Sequence, residues 1–187
     1  MIKDNYSRDH RLYFAYGSDM NLKQIRSRCV SPEIVAAALL ENHRISFFGH
    51  SYIWDGGIET IIESAGENMW GVVFKLDFGD ALQLDSYLDV RLDGAGPFFH
   101  FPLKVTDKYG NVYHTMTYKK NMLGEFMPPS REYMDYIIEG AMHNGLPDEY
   151  VCRLGGITVK EASYPVPMGA VSPRTGCTGC DDLLTGR

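Results

Sequence analysis

No run in the sequence comes near the ~20 consecutive apolar residues that a membrane span needs. The opening stretch MIKDNYSRDHR is polar and carries no apolar signal core. The cytoplasm is therefore the expected compartment, with no membrane partner. Positive charge is also scarce: Lys and Arg number 18 against 24 Asp and Glu, a formal net charge of -6. That balance argues against counterion-release binding to nucleic acid and against adsorption to anionic lipid. Cysteine is sparse, with 4 in 187 residues, too few for a disulfide scaffold. There is no H-E-x-x-H, no G-x-S-x-G elbow, no Walker loop and no dinucleotide fingerprint. The 6 histidines are scattered along the chain. His100, inside Phe98-Phe99-His100-Phe101, is expected to be a satisfied sheet histidine.

What the chain does have is apolar and aromatic mass, 44% and 12% of its residues. That is enough for a sizeable core and far too much for disorder. Leu12–Tyr16 reads as an aromatic strand stopped by Gly17-Ser18. A helical spacing of Leu22, Ile25 and Cys29 follows. Strands are expected at Ile34–Leu40, Arg44–Phe48, Ile58–Glu63 and Met69–Leu76, the last two around a polar turn at Ser64–Asn68. Asp80–Leu88 reads as a short helix. Phe98–Val105 and Val112–Tyr118 read as a hairpin turning at Lys108–Asn111. Pro102 marks the first of these as an edge strand or a bulge. Ser130 is the expected N-cap of the clearest helix, with Tyr133, Tyr136, Ile137 and Ala141 on its apolar stripe and Asn144-Gly145 at its end. A second helix runs from Pro147 to about Leu154. Residues 1–11 read as a lead-in, 12–163 as one domain and 164–187 as a Pro/Gly-rich tail. Short strands with interspersed helices suggest an α+β domain. Aromatic strands of this kind suit a curled or closed sheet around a pocket.

The candidate chemistry begins at Tyr13-Phe14-Ala15-Tyr16-Gly17-Ser18. Glycine permits a sharp turn that gathers backbone N–H groups on one side, and the helix start beyond adds partial positive charge. Such a loop is an anion cradle when it is not simply a turn.

Four colinear segments resemble the γ-glutamylcyclotransferase family. Tyr13–Asn21 resembles its Tyr-Phe-Ala-Tyr-Gly-Ser-Asn signature. Trp54-Asp55-Gly56-Gly57-Ile58-Glu59-Thr60 resembles its Gly-Gly-Ile-x-Thr strand, and Trp70–Leu76 its Trp-Gly-Val-Val strand. Pro129–Tyr133, running on to Gly140–Tyr150, resembles its last helices. The matching stretch is about residues 12–157. The resemblance implies a small mixed β-barrel with surrounding helices and a central cavity. It implies a lyase-like reaction in which the α-amine of a γ-glutamyl group attacks its own γ-carbonyl. The products are 5-oxoproline and a free amine or amino acid. It implies no metal and no organic cofactor, a small γ-glutamyl molecule as the partner, and dimers among the family's members. By the same resemblance Tyr13, Phe14, Ala15, Tyr16, Gly17, Ser18 and Tyr133 line or touch the substrate.

That reaction needs a group to take a proton from the amine and hand one to the leaving nitrogen. A single carboxylate does both when burial raises its pKa toward the working pH. In the family this is a glutamate after the Trp-Gly-Val-Val strand, in a Leu-Asp-x-x-Glu-Gly pattern. Here the segment reads Leu84-Asp85-Ser86-Tyr87-Leu88-Asp89-Val90, and the glutamate position is Leu88. Three readings stand. In the first, Asp89 replaces the glutamate, which requires the backbone to leave the helix, since neighbours on a helix point about 100° apart. In the second, Asp85, Asp93 or Asp55 reaches the cavity, with Asp85 better suited to supporting the loop. In the third, the pocket is kept without this chemistry. Asp19, where the family has Asn, is expected to cap the following helix; facing the pocket, it would instead favour a cationic or amine-bearing ligand. Cys177-Thr178-Gly179-Cys180 has no second half of a metal site, and an incidental or regulatory disulfide is its expected role.

Overall fold

The computed structural model describes residues 2–3 and 10–167. Its strands are β1 (Ile2–Lys3), β2 (His10–Ala15), β3 (Glu33–Ser51), β4 (Gly56–Asp77), β5 (Phe98–Asp107) and β6 (Val112–Lys120). Its helices are α1 (Leu22–Arg28), α2 (Phe78–Tyr87), α3 (Arg131–His143) and α4 (Asp148–Gly155), with a 3-10 turn at Ser18–Met20. The strand order β1-β6-β2-β4-β3-β5 closes through a further β5–β6 pairing, so five strands form a barrel. Closure removes the sheet edges and leaves one enclosed interior.

The long staves β3 and β4 pair antiparallel from Glu33↔Lys75 to Ser51↔Gly56. The sequence suggests four separate strands here, because polar residues interrupt both runs. The interruptions prove to be kinks within paired strands. Asn42 sits at φ 56 opposite an excursion of β4 that turns at Gly66, φ 81. Side-chain amides replace the missing ladder bonds: Gly66 N–H donates to Asn42 Oδ1 (2.9 Å) and Asn42 N–H to Asn68 Oδ1 (3.2 Å). Pro102 pairs across to Met116 on β6, while β5 meets β3 only at Thr106 and Asp107. The missing donor of Pro102 thus falls on a stretch paired on one side, as its sequence position suggests.

The expected lead-in contributes structure, since His10 and Arg11 belong to β2 and Ile2–Lys3 pairs with β6. At the other end, Ser163 donates its N–H and hydroxyl to Asp55 Oδ2 (2.6 and 2.7 Å), and Tyr164 donates to Tyr52 O (2.8 Å). The last residue of the expected domain and the first of the expected tail are therefore docked on the β3–β4 turn. Residues 168–187, with Cys177 and Cys180, lie outside the described residues. Phe14, Phe47, Phe74, Ile61 and Leu76 are fully buried in the core. Among the described residues no helix is long and apolar enough to cross a membrane.

Candidate active site

Two close backbone approaches build the site. Ser130 caps α3 with its hydroxyl, accepting from Tyr133 N–H (3.3 Å). The cap lies against the start of β4, where a Cβ on Gly56 would stand 2.4 Å from Ser130 N and one on Gly57 2.1 Å from Met127 O. Only glycines let these backbones touch, and the contact brings the first turn of α3 over β4. Tyr133 then stacks on Trp54 (centroids 4.6 Å apart, 22° between planes) with Phe47 edge-on at 6.2 Å. A ring packed on two sides holds its hydroxyl in place.

The second approach is at Gly17, where a Cβ would fall 2.2 Å from Glu59 Cδ. The Glu59 carboxylate therefore lies directly on the turn after β2. Its two oxygens accept the Ser18 N–H (3.0 and 2.9 Å), and Oε1 also accepts the Ser18 hydroxyl (3.0 Å). Oε2 accepts the Tyr133 hydroxyl at 2.6 Å. Of the backbone N–H groups expected at this turn, the Ser18 N–H is taken by the chain's own acid. Burial raises the Glu59 pKa above the ordinary carboxylate value, and the hydrogen bonds from Tyr133 and Ser18 pull it back only in part. Burial together with the Glu59 charge lifts the Tyr133 pKa well above 10, so it remains a donor throughout the neutral range.

Glu59 and Ser18 open onto a cavity of about 360 Å³. Tyr13, Tyr16, Gly17 and Tyr133 line it as well, whereas Phe14 and Ala15 do not and are fully buried in the core. Strand alternation puts Phe14 on the face opposite Tyr13. Among the described residues Arg28 is the one cation in the lining. It donates to Asp19 Oδ1 at 2.6 Å and lies 3.9 Å over the Tyr87 ring. Tyr13 donates to Asp19 Oδ2 (2.9 Å). Asp19 is thus a buried ion-pair partner, contrary to its expected role as a helix cap. A 3-10 turn intervenes before α1, and Asn21 takes the cap by accepting from Lys23 N–H (3.1 Å).

Residues 68–154 match the AIG2-like family. The gamma-glutamylcyclotransferase of Bos taurus is 34% identical over 150 residues, 78% of each chain. The Homo sapiens protein of the same name is also 34% identical over 150 residues, 78% of each. A solved structure described as gamma-glutamyl cyclotransferase superposes with a TM-score of 0.77 at 32% identity, over 84% of this chain and 93% of that one. The chain belongs to the gamma-glutamylcyclotransferase family.

Leu88, where the resemblance places the family's glutamate, is the C-cap of α2 and lines the cavity. Asp89 follows at φ 49, in the left-handed region, so the backbone does leave the helix where the sequence reading requires it to. Asp89 lines the cavity from an exposed position at its rim. The other acids suggested by the sequence are engaged elsewhere. Asp85 accepts from the Tyr118 hydroxyl (2.5 Å) and Arg11 (3.2 Å) and pairs with His100 (2.6 Å), which ties α2 to the barrel wall. Asp55 is held by Ser163, Lys160 and His50, and these partners drive its pKa well below the ordinary range. Asp93 pairs with Arg91 (2.7 Å) on an exposed loop. Glu59 is the acid that motif reading passes over. It occupies the variable place in Gly-Gly-Ile-x-Thr, and two-residue alternation alone puts it on the face shared by Gly57 and the fully buried Ile61. Among the described residues no group of three or more His, Cys, Asp or Glu is placed to hold a metal ion.

Proposed function

We propose that this chain converts a γ-glutamyl amine or γ-glutamyl amino acid to 5-oxoproline, releasing the free amine. The observation that carries the reading is a carboxylate-bearing cavity at the turn after β2, in a chain of the gamma-glutamylcyclotransferase family. The lining also suits the substrate head. Three carboxylates, Asp19, Glu59 and Asp89, outnumber the single cation Arg28 among the described residues. A site with that balance favours the α-amine end of a glutamyl group, and Arg28 is the group in the lining available to its carboxylate. Tyr13, Tyr16 and Tyr133 supply walls that hold the head in position, with the amine close to the carbonyl it attacks. Attack by an amine on a carbonyl within the same molecule needs no second substrate and no water. The reading does not favour a pocket that has lost its chemistry, because the loss of an acid at Leu88 coincides with a carboxylate at Glu59 in the same lining.

The test is to incubate the protein with γ-glutamyl-alanine, γ-glutamyl-amines and glutathione and to measure 5-oxoproline. Product from at least one of them is expected. No product across the panel, with the protein folded, overturns the reading.

A further inference from the structure

We propose that Glu59, a residue of the barrel stave β4, moves the proton in this chain, in place of an acid at the end of α2. The inference rests on the cyclotransferase reading above.

Of the three carboxylates that line the cavity among the described residues, Asp19 is committed to the cation Arg28 through one oxygen and to Tyr13 through the other, whereas Glu59 is held by neutral donors alone. Asp89 stands exposed at the rim, and its carboxylate has no hydrogen-bond partner among the described residues to orient it. Glu59 is both oriented and enclosed. Three donors, the Ser18 N–H, the Ser18 hydroxyl and the Tyr133 hydroxyl, fix its carboxylate. The Ser18 N–H is shared between the two oxygens, so these donors make four contacts, two on each oxygen, and the carboxylate they hold also lines the cavity. Gly17 carries no side chain, and that absence lets the acid lie on the turn. Burial raises the Glu59 pKa above the ordinary carboxylate value, which moves it toward that of a working general base.

The step balances on this one group. The neutral α-amine attacks the γ-carbonyl carbon and forms the ring C–N bond, and its nitrogen gives one proton to the Glu59 carboxylate. The amide C–N bond to the leaving group then breaks, and its nitrogen takes that proton from the Glu59 carboxylic acid. No water, oxidant or further reactant enters.

The experiment compares the full-length wild type with Glu59→Gln, Glu59→Asp and Glu63→Gln, using a γ-glutamyl compound that the wild type turns over. Glu63 is exposed on the same strand and serves as control. Glu59→Gln is expected to lower kcat about 10²- to 10⁴-fold, the range for losing a general acid–base group, with KM changed only a few-fold. Its residual rate should lose the rise with pH seen on the acid side of the wild-type profile. Glu59→Asp keeps a carboxylate but withdraws it, and should run at least about tenfold faster than Glu59→Gln. Glu59→Gln retaining more than about a tenth of wild-type kcat overturns the proposal, as does Glu59→Asp no faster than Glu59→Gln. A wild type that forms no 5-oxoproline instead overturns the cyclotransferase reading itself, an outcome seen before any variant is made.

Discussion

Replacing Tyr133 with Phe removes one hydroxyl and leaves the ring packed between Trp54 and Phe47. That hydroxyl lies 2.6 Å from Glu59 Oε2, and it donates. A hydrogen bond to a charged group is worth about 1.5–3 kcal/mol. At 1.36 kcal/mol per unit, its loss should raise the Glu59 pKa by about 1–2 units. The other groups facing Glu59 stay in place: Ser18 from the turn, Asp19 beside it, Arg28 from α1 and Tyr16 from the end of β2. The ionised carboxylate accepts the proton, so kcat/KM rises with pH through this pKa. Tyr133→Phe should therefore shift the acid limb upward by about 1–2 pH units while the plateau is still reached. The assay is 5-oxoproline formation at low substrate across the pH range. A limb that stays fixed or moves to lower pH refutes the argument. A uniform loss of rate with a fixed limb would mean that Tyr133 acts on the substrate and not on the acid.

Glu59 also links pH to stability. Its folded pKa is raised, so its stabilising contribution is complete below the ordinary carboxylate range, near ~4.3, and is lost as pH rises through the raised value. Glu59→Gln should thus gain Tm relative to wild type as pH rises from 4 toward 8 (about the span between the two protonation states), and thermal melts across that range check it. Gly57→Ala forces a Cβ to 2.1 Å from Met127 O and 2.8 Å from Phe47 Cβ. Because the first of these is backbone, the cost should be about 3 kcal/mol, a Tm loss of about 6–12 °C by calorimetry, and a loss under about 2 °C counts against it. Asp80, 2% exposed, accepts from Val30 N–H (2.6 Å) and Ser31 N–H (2.9 Å) and so ties the chain after α1 to α2. Asp80→Ala should cost about 2–4 kcal/mol in a urea melt, and a change under about 0.5 kcal/mol would show those amides to be satisfied by water.

Much of this architecture could be read from local pattern. The cap at Ser130, the apolar stripe of α3 and the turn at Gly17-Ser18 each depend on a few adjacent residues, and each stands where the sequence puts it. The reading failed where a partner distant in sequence decided the outcome. β3 and β4 continue through polar residues because Asn42 and Asn68 repair each other's strand, 26 residues apart. Asp19 pairs with Arg28 because α1 turns back over it, and helix-cap statistics contain no such contact. Glu59 is the plainest case. Its neighbours in sequence describe an ordinary strand, and its chemistry comes from Ser18 and Tyr133, 41 and 74 residues away. Alternation along β4 does not mark it, because Glu59 shares its face with the exposed Glu63 as well as with the buried Ile61.

The placement of Glu59 separates two functions that a helix-end acid would combine. An acid on the chain between Leu88 and Pro97 would move whenever that segment was lengthened or repacked. Anchored in a stave of the closed barrel, the acid is indifferent to such changes. The segment frames the mouth of the cavity, with Leu88, Asp89 and Pro97 in the lining, and is free to be rebuilt around differently shaped amines. Grafting new sequence between Leu88 and Pro97 should alter which amine is released and leave the ring-closing machinery untouched.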